Sequence, residues 1–130
     1  MKIEFDRSKQ VIFAYDNDNS FINSWECRDD FVEGFNNDGV PRESLPNGSY
    51  NVSAEITNGK YGISYGTFYI TTGDPRGRDI HGGGAGCDDP FAPYQGWVPT
   101  YGCLRMQNAD GEKLSELIIE DGNNVPLWVH

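Results

Sequence analysis

Residues Lys2 to Phe5 alternate polar and apolar, with Ile3 and Phe5 on one side, the period of a half-buried strand. Arg7-Ser8-Lys9-Gln10 reads as a turn and Val11 to Tyr15 as a second strand. After the Asp16-Asn17-Asp18-Asn19 turn run, Phe21 to Cys27 reads as a third. Asp29 to Arg42 holds too many breakers for regular structure. Leu45-Pro46-Asn47-Gly48 is a turn that launches a strand from Ser49 to Ile56. An aromatic and β-branched run, Tyr61 to Thr72, predicts another, its two glycines marking a bulge or a close backbone approach. Arg78 to His81 reads as a short strand, and Gly82 to Thr100 as a long irregular loop, a length that in compact domains usually carries function. The spacing changes only once to a helical period. Leu114, Leu117 and Ile118 form one stripe, which predicts a helix over Asn108 to Glu120 with Asn108 as N-cap. Val125 to Val129 closes the chain as a last strand. The pattern predicts one domain over residues 1–130, mostly β with one helix.

Composition narrows the function classes. At 130 residues the chain can bury a real core. Its net charge of −10 argues against nucleic acid and against electrostatic docking on anionic lipid. No apolar run reaches membrane-spanning length, so no membrane insertion is expected. The amino terminus alternates and lacks a cleavable leader core. The two histidines, His81 and His130, and the absence of any CxxC spacing give no metal site, and no cofactor is expected.

Three cysteines are present, Cys27, Cys87 and Cys103. Cys27 and Cys87 stand either as independent thiols or, in an oxidising compartment, as a disulfide. Chemistry concentrates between Ile80 and Met106. His81 precedes Gly82, Gly83 and Gly84, and packing offers no reason for that run. Cys103 follows Thr100, Tyr101 and Gly102, with Arg105 two residues on. A thiol attacks as thiolate, which a nearby imidazole can generate, and a cation such as Arg105 favours that form. The order, histidine before cysteine, differs from that of papain-like peptidases.

His81-Gly82, a spacer, and Thr100-Tyr101-Gly102-Cys103-Leu104-Arg105 together resemble the signature of YkuD-type L,D-transpeptidases. The resemblance is sharp from about residue 80 to 117 and diffuse from 1 to 72. It implies a YkuD-like β-sandwich or barrel-like sheet with a single helix after the cysteine. It implies cysteine-dependent acyl transfer on peptidoglycan stem peptides. Cys103 would attack the carbonyl of the third residue, expel the terminal D-alanine and form a thioester. An amine acceptor then gives transpeptidation or D-amino-acid exchange, and water gives L,D-carboxypeptidase cleavage. The resemblance makes His81 the base, oriented by the Gly82 carbonyl, and places an oxyanion hole in the amides of Tyr101 to Cys103, Gly102 included. Arg105, Thr100, Trp97, Tyr94 and Gly83 are the expected substrate-binding residues, with Arg105 open to a second role, tying down the loop. Trp97 and Tyr94 either line the cleft or fill a local core.

The site of action implied is the periplasm or cell wall. A compact chain without a leader also resembles the antibacterial effectors that type VI secretion delivers, which implies an immunity protein as partner; a trimmed chain accounts for the missing leader equally. Two other readings stay open at this level: a non-catalytic peptidoglycan-binding module on the same fold, and a cysteine peptidase or amidase acting on other peptides.

Overall fold

The computed structural model describes residues 1–130. Eight strands and one helix follow in the order β1 (Lys2–Asp6), β2 (Val11–Tyr15), β3 (Phe21–Arg28), β4 (Gly48–Ile56), β5 (Phe68–Thr71), β6 (Ile80–His81), β7 (Leu104–Met106), α1 (Asn108–Glu120) and β8 (Val125–Val129). The strands close into a barrel in the order β1-β2-β3-β7-β6-β5-β4-β8. Closure removes the open edges that a small sheet would otherwise present to other chains. Alternation decides which residues enter the core: Ile3 and Phe5, Ile12 and Ala14, Val52 and Ala54, and Phe68 and Ile70 all point inward. Helix α1 packs against β4 and β5 and adds Leu114 and Ile118 to the same core. No helix is long and apolar enough to cross a membrane.

Most pairs are antiparallel, but β1 runs parallel to β8 and β6 to β7, the latter with Ile80 opposite Leu104 and His81 opposite Arg105. A parallel pair needs a crossover of a dozen residues or more, which accounts for the long loop between the two strands. The sequence pattern shows no element between Cys103 and the helix that begins at Asn108. Strand β7 intervenes; at three residues it is too short to show a period of its own.

Three other expectations change. The aromatic run from Tyr61 is a strand only from Phe68; before it, Gly59, Gly62 and Gly66 take positive φ in successive turns. The strand expected from Arg78 is paired only at Ile80–His81, because Arg78 is held in the preceding turn by its ion pair with Asp74. Gln107, not Asn108, is the N-cap, and its side chain makes no capping bond. The fully buried Asn108 amide instead accepts from the Thr67 and Gly83 N–H groups (3.1 and 3.3 Å). It donates to the Pro90 and Ala92 carbonyls, each at 2.8 Å. With Gln95, which donates to the Gly83 and Met106 carbonyls and accepts from the Asn108 N–H, it clamps the long loop onto the barrel.

Candidate active site

The parallel pair sorts its side chains by the two-residue period. Ile80 and Leu104 face the core, so His81, Cys103 and Arg105 emerge together on the outer face. Neighbouring strands extend this face. Tyr69 of β5 lies opposite His81, Glu55 of β4 opposite Tyr69, and Arg28 of β3 opposite Arg105. The result is one row across five strands: Glu55, Tyr69, His81, Arg105, Arg28.

His81 and Cys103 open on a single cleft of about 360 Å³, whose wall includes Val32, Ser64, Tyr65, Val98, Tyr101 and Arg105. His81 is 4% exposed. Its Nδ1 lies 2.9 Å from the Gly82 carbonyl, which can only accept, so the neutral ring carries its hydrogen there and keeps the Nε2 lone pair free. Tyr69 stacks nearly parallel to the imidazole (6.0 Å, 13°), and Tyr65 meets it edge-on at 4.9 Å. Burial pulls the His81 pKa down to about 4; the Gly82 carbonyl opposes this, and Arg105 adds to it. The ring is neutral at pH 7.

The Cys103 sulfur receives the Asp79 backbone N–H at 3.3 Å. Burial nevertheless raises the thiol's pKa, more than that N–H and the Arg105 charge lower it. The cation two residues on does not produce a resting thiolate, as the sequence alone suggested. At rest the thiol, which donates to the Gly77 carbonyl at 3.7 Å, and the imidazole that shares its cleft are both neutral.

Asp79, which sequence reasoning passed over, braces this arrangement. Its buried carboxylate accepts from the Tyr69 hydroxyl at 2.6 Å and from the Thr72 N–H and hydroxyl at 2.9 and 3.2 Å. One residue thus holds the sulfur with its backbone and, through Tyr69, the face of the imidazole with its side chain. Its place two residues before His81, on the same face of the strand, was the available signal.

Thr100 ties the cysteine turn rather than reaching into the cleft. Its hydroxyl donates to the Cys103 carbonyl (2.7 Å) and accepts from the Gly102 N–H (3.0 Å). That bond withdraws the Gly102 amide from the expected oxyanion hole. The Tyr101 and Cys103 amides donate to no protein acceptor and remain free. Gly102 has φ +137°, and a Cβ there would stand 2.5 Å from the Glu43 carbonyl oxygen, so glycine is required for the turn. The Tyr101 ring, 67% exposed, lies under the Arg42 guanidinium at the cleft mouth.

Arg105 is 4% exposed and has no carboxylate partner. It donates to the Val98, Pro99 and Ser64 carbonyls, and its Nε bonds to nothing. Burial lowers its pKa, but a guanidinium stays charged, so a cation stands at the cleft wall with spare hydrogen-bonding capacity.

Tyr94 and Trp97 are not brought to this cleft. Tyr94 is exposed, and the Trp97 ring packs under Arg28, 4.2 Å from its guanidinium. The glycine run does have a packing reason, contrary to the sequence reading. A Cβ on Gly82 would meet Asn108 Oδ1 at 2.1 Å, and one on Gly83 would meet the Gly66 nitrogen at 2.4 Å. The loop crosses the turn before β5 backbone to backbone, and Gly83 serves that crossing rather than the cleft lining. All three thiols are free, with Cys27 inside the barrel and Cys87 on the loop.

The sequence matches no protein-family model and no curated protein. Solved structures share its architecture. An L,D-transpeptidase (Yku) from Stackebrandtia nassauensis superposes with a TM-score of 0.64 at 16% identity over 99% of this chain and 54% of that one. Residues 123-326 of an L,D-transpeptidase from Xylanimonas cellulosilytica give 0.58 at 16% identity, covering 98% of this chain and 59% of that one. An Ldtfm–avibactam carbamoyl enzyme gives 0.60 at 17% identity, covering 99% and 48%. The chain spans about half the length of the structures it matches. It has the L,D-transpeptidase (YkuD-type) fold.

Proposed function

We propose that this domain is a cysteine-dependent acyltransferase acting on peptidoglycan stem peptides. The observation that carries this reading is the cleft shared by Cys103 and His81, in which the Gly82 carbonyl fixes the imidazole tautomer with Nε2 free. A fold shared with L,D-transpeptidases supports the choice of substrate class. In the first half-reaction the Cys103 S–H proton passes to His81 Nε2 as sulfur attacks the carbonyl of the third stem residue. The Tyr101 and Cys103 amides, which donate to no protein acceptor, are the donors available to the developing oxyanion. Collapse expels the terminal D-alanine, whose amine takes the proton from His81, and leaves a thioester. In the second, His81 removes a proton from an acceptor amine as it attacks the thioester; that proton returns to the sulfur as Cys103 leaves. Water in the same place yields the tripeptide acid.

Because both resting groups are neutral, proton transfer accompanies attack instead of preceding it. Arg105, a buried cation without a counter-ion, offers its charge to a substrate carboxylate. Purified muropeptides incubated with the protein and resolved by mass spectrometry test the reading. Tetrapeptide stems should lose D-alanine or exchange it for an added D-amino acid, and Cys103→Ala should abolish both while keeping the fold. Unchanged tetrapeptides, with and without an acceptor, contradict it. A protein of this fold forms a carbamoyl enzyme with avibactam, so avibactam adds a second probe: a mass increase that Cys103→Ala abolishes.

A further inference from the structure

A cavity larger than the cleft just described lies outside it. It measures about 510 Å³ and sits on the outer face of β4 and β5, walled by Ser53, Glu55, Tyr61, Tyr65, Tyr69 and Thr71. It continues the catalytic face. Glu55 and Tyr69 belong to the row that holds His81 and Arg105, and Ser53 pairs with Thr71 two residues along the same two strands. Tyr65 is wall to both the cavity and the cleft.

The lining has a definite chemistry. Three rings meet edge-on or tilted, Tyr61 to Tyr69 at 5.9 Å and Tyr65 to Tyr69 at 5.8 Å. Tyr61 and Tyr65 are 48% and 38% exposed, a large aromatic surface to leave in water. Two hydroxyls are pinned, Tyr61 to Glu55 and Tyr69 to Asp79, so the rings are held in place before any ligand arrives. Glu55, the single charge in the lining, is already paired with Lys60. The ligand that fits is neutral, has an apolar face to lie on aromatic rings and carries hydroxyls for the Ser53 and Thr71 side chains. A pyranose ring has these properties.

Distance selects which pyranose. Strands lie about 4.8 Å apart, so Tyr69, on β5, stands two spacings from the strand that follows Cys103, roughly 10 Å. A stem peptide with its third carbonyl at Cys103 places three extended residues, also roughly 10 Å, between that carbonyl and the amino sugar from which the stem hangs. The polarity agrees: the far end of the row holds Arg105 and Arg28, on the side where the terminal carboxylate would lie.

We infer that the tyrosine-walled cavity binds the N-acetylated amino sugar at the head of the donor stem peptide. The inference rests on the acyl-transfer reading above for its substrate and goes beyond it in assigning a saccharide subsite. Two measurements test it. In the first, KM for D-alanine release is compared between a disaccharide-tetrapeptide and the free tetrapeptide. The wild-type protein should favour the disaccharide form by about tenfold, and Tyr61→Ala should erase that preference. Equal KM values in the wild type, or a preference that survives in Tyr61→Ala, overturn the inference. In the second, tyrosine-ring NMR signals of the Cys103→Ala protein are followed during titration with the peptide-free N-acetylglucosaminyl–N-acetylmuramic acid disaccharide. Shifts confined to Tyr61, Tyr65 and Tyr69 support the subsite even if no stem peptide is ever turned over, in which case the acyl-transfer reading alone fails. Turnover without ring shifts or a sugar preference removes the subsite and leaves that reading standing.

Discussion

The buried imidazole makes an acid-sensitivity prediction whose sign separates two kinds of thiol–imidazole pair. His81 has a pKa of about 4 in the folded chain against an ordinary 6.5. The unfolded chain therefore binds a proton at this residue over a pH range in which the folded chain does not. Stability from the neutral ring is complete above pH 6.5 and is lost as pH falls toward 4. A difference of about 2.5 pKa units corresponds to about 3 kcal/mol, with a slope near 1.4 kcal/mol per pH unit inside the window. The perturbation is a substitution combined with pH, so that only the contribution of residue 81 is read. Urea unfolding of the wild type and of His81→Gln, from pH 7.5 to pH 4, gives the difference in unfolding free energy at each pH. That difference should fall by about 3 kcal/mol toward pH 4. A preformed thiolate–imidazolium pair would raise the folded pKa and reverse the slope. A difference that stays flat, or that grows as pH falls, refutes the neutral-pair description.

The thiol side of the same pair predicts that the alkylation rate of Cys103 by iodoacetamide climbs with pH past 9, with no plateau between pH 6 and 8; peptide mapping separates it from Cys87, and an early plateau contradicts the burial argument. Asn108→Ala removes four hydrogen bonds at a fully buried position and should cost roughly 2–4 kcal/mol by chemical denaturation, with protease cleavage appearing between Gly83 and Pro99; a loss under about 0.5 kcal/mol would mean that Asn108 does not hold the loop.

Much of the barrel was legible from alternation. Ile3 with Phe5, Ile12 with Ala14 and Val125 with Leu127 follow the two-residue period and are buried as it requires. The helix was legible over its full length, because its apolar stripe changes the period unmistakably. What escaped were elements held by partners instead of by pattern. Strand β7 shows three consecutive buried residues, because Arg105 covers its outward side with a guanidinium bonded to loop carbonyls. The Tyr61–Thr67 segment has the composition of a strand, but positive-φ glycines turn it back so that Gly66 can pass Gly83. In the site, His81, Cys103 and Arg105 fall together because strand pairing puts them on one face. Tyr94 and Trp97 were expected there on residue type alone, and position in a loop carries no such constraint. Tyr65, Tyr69 and Asp79 form the site's surroundings by contacts across strands, which no spacing within one segment encodes.

The central claim is that Cys103 carries the acyl group. Mixing the protein with a tetrapeptide stem, quenching in acid within seconds and measuring intact mass tests it most directly. The wild-type chain should gain the mass of the acyl tripeptide, with D-alanine released in equal amount and the adduct mapping to the peptide that contains Cys103. His81→Gln should slow its appearance, and Cys103→Ala should prevent it. An adduct on Cys87, or D-alanine released by Cys103→Ala, would contradict the account.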